Sequence, residues 1–254
     1  MTFLNHEKPL KTVMIQSDDL EYIRGIIAEA NRNGADAFGL QVERLRPEQR
    51  TPAILGELFE AMGKPCYVTN YRGGLNKERC TDEDLAEGML QLADYGATLV
   101  DVMGDLFCKH PEELTEDPAA VQKQKELIAA LHAKGAEVLM SSHVLKFIPA
   151  ERVLEIARAQ LERGADVVKI VTGAEDDAQQ VENLRIVTLL KKELKVPFLY
   201  LSAGECKMLR RLGPKLGCCM WLCVENKPAE SQNPQPLIAD INQVATLFNI
   251  DSAK

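Results

Sequence analysis

The chain has 254 residues, 46% of them hydrophobic and 27% charged, with a net charge of −8. That balance is ordinary for a globular enzyme, and no dense Lys/Arg cluster marks a nucleic-acid footprint. The N-terminal stretch MTFLNHEKPL has no apolar core of signal-peptide length, and no apolar run nears the roughly 18 residues that span a bilayer; the expected setting is cytoplasmic, with neither membrane nor nucleic acid as partner.

In chain order, an apolar run near 12–16 predicts a first strand. Leu20, Ile23, Ile27 and Ala30 then share one face of a helix. NGADAFGL (33–40) closes that helix and opens a second strand near 35–40. GKPCYVTN (63–70) leads into a third near 66–70, YGATLVDV (95–102) into a fourth near 98–102, and KGAEVLMS (134–141) into a fifth near 137–141. Val153, Ile156, Ala157 and Leu161 form the next apolar helical stripe. It ends at RGADVVKI (163–170), which holds a sixth strand near 166–170. KVPFLYLS (195–202) and GCCMWLCV (217–224) supply the seventh and eighth, near 197–201 and 217–223. Leu237, Ile241, Val244 and Phe248 predict a closing helix. Four of these junctions repeat Gly-Ala followed by apolar residues. Glycine suits the left-handed position at a helix end, and an apolar run without alternation suits a strand buried on both faces.

Eight strand–helix units in one domain spanning 1–254 predict a (β/α)8 TIM barrel. A doubly wound sheet would usually carry a glycine-rich turn after its first strand; here that position reads MIQSDDLEY. The tail DSAK is expected to fray.

Seven cysteines are expected to stay reduced. Cys218, Cys219 and Cys223 match zinc knuckles poorly, and GCCMWLCV reads as a core strand. The histidines (His6, His110, His132, His143) are scattered, and HPEELTED (110–117) reads as a loop and helix start. No metal or cofactor is expected.

In such a barrel, functional side chains gather at the C-terminal ends of the strands. His143 follows the predicted fifth strand, and Lys169 lies near the end of the sixth. Consecutive strands are neighbours, so both reach one pocket. Alternation puts Val167, Lys169 and Val171 on one face; if that face is the interior, the lysine is buried among apolar residues. Desolvation then favours the neutral amine, by up to about 3–5 pKa units for full burial. A neutral amine attacks a ketone to form a Schiff base, and a nearby imidazole shuttles protons. The competing readings are a lysine that snorkels to solvent and a histidine that caps the helix near Pro149.

SSH (141–143) and GADVVKI (164–170) resemble the S-x-H and G-A-D-x-x-K-[IL] segments of the type I 3-dehydroquinate dehydratases. SQNPQ (231–235) resembles that family's S-A-P-G-Q loop, and CKMLRRLGPKLG (206–217) a segment with an arginine seven residues before a glycine. The resemblance implies a shikimate-pathway lyase. Lys169 would form the Schiff base and His143 would move protons. Arg210, Ser231 and Gln235 would hold the carboxylate and adjacent hydroxyl of a small keto acid, and Arg72 matches an arginine after strand three. Arginine suits that role, because its planar fork binds a carboxylate bidentately.

The departures are Gly39 and Gln41 in place of a glutamate and an arginine, Asn76 in place of a glutamate, and Met103 in place of a carboxylate. They predict a changed substrate or changed chemistry. The main reading is dehydration of 3-dehydroquinate or a related carboxylated cyclic β-hydroxy ketone. The alternatives are a class I aldolase and a non-catalytic carboxylate-binding barrel. Association as a homodimer is a further expectation.

Overall fold

The computed structural model describes residues 2–4, 6–227 and 233–250. Its strands are β1 (Leu10–Ile15), β2 (Ala37–Gln41), β3 (Cys66–Thr69), β4 (Leu99–Met103), β5 (Glu137–His143), β6 (Val167–Thr172), β7 (Phe198–Ser202) and β8 (Met220–Cys223). They pair in parallel in the order β7-β6-β5-β4-β3-β2-β1-β8. At the β7–β8 seam the Cys219 backbone N–H donates to the Phe198 carbonyl at 2.9 Å. The fold is therefore a nearly closed (β/α)8 TIM barrel.

Outside the strands lie α1 (Leu20–Arg32), α2 (Pro52–Met62), α3 (Asp82–Asp94), α4 (Pro118–Ala133), α5 (Ala150–Glu162), α6 (Asp177–Glu193), α7 (Leu209–Leu216) and α8 (Ile238–Leu247). Five helices start on a side-chain cap, supplied by Asp19, Thr51, Thr81, Asp117 and Asp176. Each such cap satisfies an orphan N–H and is worth about 1 kcal/mol. The Gly-Ala repeat does what its spacing predicts: Gly34, Gly96, Gly135 and Gly164 all have positive φ, between 82° and 109°.

Most strand limits differ from the sequence reading by one or two residues, as in β1, β2 and β6, which runs on to Thr172 and so puts Lys169 mid-strand; three differences bear on the argument. β5 runs on to His143, which pairs with Val171 of β6, so the histidine ends the strand instead of following it. β8 begins at Met220, because Gly217 is still terminating α7 with φ 138°. The buried face of α8 is Ile238, Ile241 and Ala245; Phe248 lies past the last turn and is exposed.

Leu10, Ala37, Leu99, Leu139 and Val167 pack together beneath the site and are buried. All seven cysteines are free, and four are buried, as small core side chains. Among the described residues no three His, Cys, Asp or Glu side chains are grouped to hold a metal. No helix among them is long and apolar enough to cross a membrane.

Candidate active site

Lys169 is buried, 4% exposed, on the barrel-facing side of β6. Its surroundings differ from the apolar pocket expected. Nζ donates to Tyr67 Oη at 2.9 Å, to Tyr71 Oη at 2.8 Å and to Asp101 Oδ2 at 3.0 Å. The polar partners come from β3, the segment after it, and β4, and one-strand periodicity cannot foresee neighbours supplied by other strands.

Asp101 is fully buried. Its Oδ2 also accepts the Tyr67 hydroxyl, and the Tyr71 hydroxyl at 2.5 Å, while Oδ1 accepts the Ser141 hydroxyl at 2.6 Å. Burial first, and then the Asp101 charge, push both phenols well above their ordinary range. Each phenol therefore keeps its proton, donates it to Asp101 and accepts from Lys169. The Lys169 amine and the Asp101 carboxyl meet directly as an ion pair, and both phenols bridge the two groups.

His143 does not cap α5, which begins at Ala150 without a side-chain cap. Its Nδ1 lies 2.7 Å from Glu113 Oε2, and the same oxygen accepts the His143 backbone N–H at 2.9 Å. Burial works against the Glu113 carboxylate, but the bond to His143 and the charges of His143 and Lys169 hold it below the usual range. An ionised Glu113 fixes the proton on Nδ1 and leaves Nε2 to face a substrate. The Tyr71 ring meets the imidazole edge-on, centroids 5.4 Å apart.

Glu113 reaches His143 because its loop is pinned. Arg163, buried at the end of α5, donates to the Gly104 carbonyl at 2.7 Å, the Thr115 carbonyl at 2.5 Å and Gln124 Oε1 at 2.8 Å. The Ser142 hydroxyl holds the Glu113 carbonyl at 2.8 Å. Glu113 itself has φ 46°, a left-handed conformation costly for a non-glycine residue.

Lys169, His143, Tyr67, Tyr71, Arg210 and Gln235 line one cavity of about 200 Å³ at the C-terminal end of the barrel. Arg210 is 7% exposed. Its Nε donates to the Ser202 carbonyl at 3.1 Å, and among the described residues no carboxylate pairs with it. Burial lowers its pKa to about 10. Gln235 Oε1 is buried with no partner among the described residues. Ser231 lies outside the described residues. Arg72 is held elsewhere: Nε and Nη2 grip the Asp82 carboxylate, both at 2.7 Å, and Nη1 meets Asp105 at 2.7 Å. It lines an outer recess of about 530 Å³ that shares Tyr71 and His143 with the inner cavity.

Among the described residues no Asp or Glu lines the inner cavity, while Lys169 and Arg210 do, so those residues favour an anion. The departures seen in the sequence have structural counterparts. A Cβ on Gly39 would lie 2.1 Å from Met14 Sδ and 3.2 Å from Tyr67 Cδ1, so these side chains fill that space. Gln41 lines the inner cavity and Met103 the outer recess. Asn76 donates to the Tyr71 carbonyl at 2.8 Å and so supports the segment carrying Tyr71.

A family model for type I 3-dehydroquinase matches residues 12–252. The chain belongs to the type I 3-dehydroquinase family. That family is one of lyases of the shikimate pathway. Similar solved structures include 3-dehydroquinate dehydratase from Geobacillus kaustophilus, at 17% identity and TM-score 0.80, covering 98% of this chain and 95% of that one. The type I enzyme from Clostridium difficile, solved with covalent modified comenic acid, gives 17% identity and TM-score 0.79 over 96% and 94%. The Enterococcus faecalis enzyme gives 18% and 0.74 over 96% of each chain. Comparison with curated protein sequences gives no match.

Sequence reasoning missed Tyr67, Tyr71, Asp101, Ser141 and Glu113. Asp101 carried a usable signal, a charge inside the apolar run of YGATLVDV, the same kind of signal that marked Lys169. Glu113 carried none, because its role depends on how a loop is folded back.

Proposed function

We propose that this family member is a lyase that forms a Schiff base at Lys169 with a small carboxylated ketone and eliminates water from it. The carrying observation is one cavity that presents the Lys169 amine, a Glu113-oriented His143 and an Arg210 guanidinium that meets no carboxylate among the described residues. Arg210, with Gln235 beside it, binds the carboxylate; a charge-assisted bond of this kind contributes about 1.5–3 kcal/mol. Lys169 condenses with the ketone, and the iminium withdraws electrons from the adjacent carbon. His143 takes the proton from that carbon and returns it to the leaving hydroxyl. Ser231 is assigned to the same carboxylate end by resemblance alone. Arg72, committed to Asp82 and Asp105, supports the outer rim. The favoured substrate is 3-dehydroquinate or a related cyclic β-hydroxy ketone.

The space taken by Met14 and Tyr67 at Gly39 favours a less hydroxylated substrate body than a site lined by acids would. A keto acid cleaved at a C–C bond is the second reading, and product analysis separates the two: one enone marks dehydration, two carbonyl fragments mark aldol cleavage.

The test is borohydride reduction in the presence of 3-dehydroquinate, read by intact mass and peptide mapping. An adduct on Lys169, absent from Lys169→Met, is the expected result. No adduct with 3-dehydroquinate or with a panel of cyclic and linear keto acids overturns the reading.

A further inference from the structure

We propose that Asp101, acting directly and through Tyr71, is the proton acceptor and the fixed counterion of Lys169 during Schiff-base formation. The proposal rests on the Schiff-base reading above and adds two residues to its machinery. Asp101 Oδ2 is 3.0 Å from Nζ, and Tyr71 Oη lies 2.8 Å from Nζ and 2.5 Å from Oδ2. Tyr71 is also the one member of this cage that both lines the cavity and packs on His143.

The steps balance without any outside reagent. One N–H proton of the ammonium passes to Asp101 Oδ2. The freed lone pair forms the C–N bond, and the carbonyl π pair moves to oxygen. That oxygen takes a second proton from the nitrogen and becomes the carbinolamine hydroxyl. The nitrogen lone pair then forms C=N while the C–O bond breaks. The departing hydroxyl receives the stored proton from Asp101 by way of Tyr71 and leaves as water. The cycle starts with ammonium and carboxylate and ends with iminium and carboxylate, so a cage preorganised for one ion pair serves both ends. His143 is thereby left for the substrate's own C–H and hydroxyl.

A buried carboxylate beside the nitrogen favours every protonated form of that nitrogen. Asp101→Asn keeps the shape and removes the charge, so both the ammonium and the iminium should lose their protons at lower pH. The probe is formaldehyde with cyanoborohydride, which N-methylates an amine through its iminium. Methylation of Lys169 is followed against pH by peptide mapping, with exposed Lys125 and Lys195 as internal standards. In the parent, Lys169 is methylated. In Asp101→Asn the profile moves to lower pH by about one unit or more, and its maximum falls about tenfold. Tyr71→Phe keeps the direct Lys169–Asp101 contact, so its profile stays in place while the maximum falls about tenfold.

An Asp101→Asn profile that coincides with the parent's overturns the proposal, as does a parent Lys169 that is never methylated. Should Asp101→Asn fail to fold by circular dichroism, Tyr71→Phe decides: a lowered maximum supports the relay, and a maximum equal to the parent's overturns it. Formaldehyde makes this readout independent of the natural substrate. Absence of a 3-dehydroquinate adduct therefore counts against the dehydratase reading and not against Asp101.

Discussion

Arg210 is a charged group buried on α7 at the mouth of the barrel, and among the described residues its hydrogen-bond partner is a single carbonyl. Burial lowers its pKa to about 10, so at neutral pH its charge is held at a cost to the fold. A residue retained on those terms serves a ligand. Arg210→Met is expected to leave the ligand-free melting temperature unchanged or raised, while KM for the keto acid rises by about 10–100-fold, the equivalent of one lost charge-assisted bond. Thermal melts and steady-state kinetics check this; a lower melting temperature with an unchanged KM would assign Arg210 to stability alone. Lys169 and His143 were legible as residues because polar groups within or closing an apolar strand stand out. Arg210 and Gln235 emerged only through family likeness, since a helix arginine and a loop glutamine carry no such contrast.

The connection between β4 and α4 decides whether His143 has a partner. Gly104 sits where the loop passes closest to β5: a Cβ there would lie 2.5 Å from the Glu113 carbonyl, 3.0 Å from Ser142 Oγ and 3.2 Å from the Ser141 carbonyl. Two of those contacts are backbone, so a flexible side chain cannot relieve them. Gly104→Ala should therefore push the loop outward, cost about 1–3 kcal/mol of stability and draw Glu113 away from the imidazole. Denaturant melts measure the first effect. The second is measured by kcat, expected to fall by roughly 10²-fold, the lower end of what an oriented general base contributes. If kcat holds while stability drops, Glu113 is not needed to orient His143. The sequence placed the end of this loop and the start of α4 correctly, but its reach back across β5 depends on Arg163 from a helix about fifty residues later.

Across the whole molecule, two half-buried acid clusters tie separate segments together. Burial opposes the Asp82 carboxylate, yet the bonds and charge of Arg72 hold it below its ordinary range of 3.8, and Glu113 is held below 4.5 by His143. A depressed folded-state value means that the stabilisation is complete above the unfolded value and is lost as pH falls through the folded one. Melting temperature should therefore change little down to about pH 5 and fall steeply below about pH 4. Arg72→Ala should lower the plateau and flatten that fall, because Asp82 then loses its partner. A melting curve series against pH on parent and variant checks both; parallel curves would show that the Arg72–Asp82 pair carries no proton-linked stability.

The sequence by itself determined the barrel, the order of its eight strands and two polar residues, one at the end of β5 and one within β6. Those features are set locally, by helix-ending glycines, buried apolar runs and a period that separates strand from helix. Only the tertiary structure decided what surrounds the amine. Tyr67, Tyr71 and Asp101 come from β3, the turn beyond it and β4, roughly seventy to one hundred residues before Lys169, and the curling of the sheet into a barrel brings them to the amine. The same holds for Glu113, whose contact with His143 depends on a buried arginine folding a loop. Local sequence pattern specifies which side of a strand faces inward; it cannot specify which side chains from other strands will be waiting there.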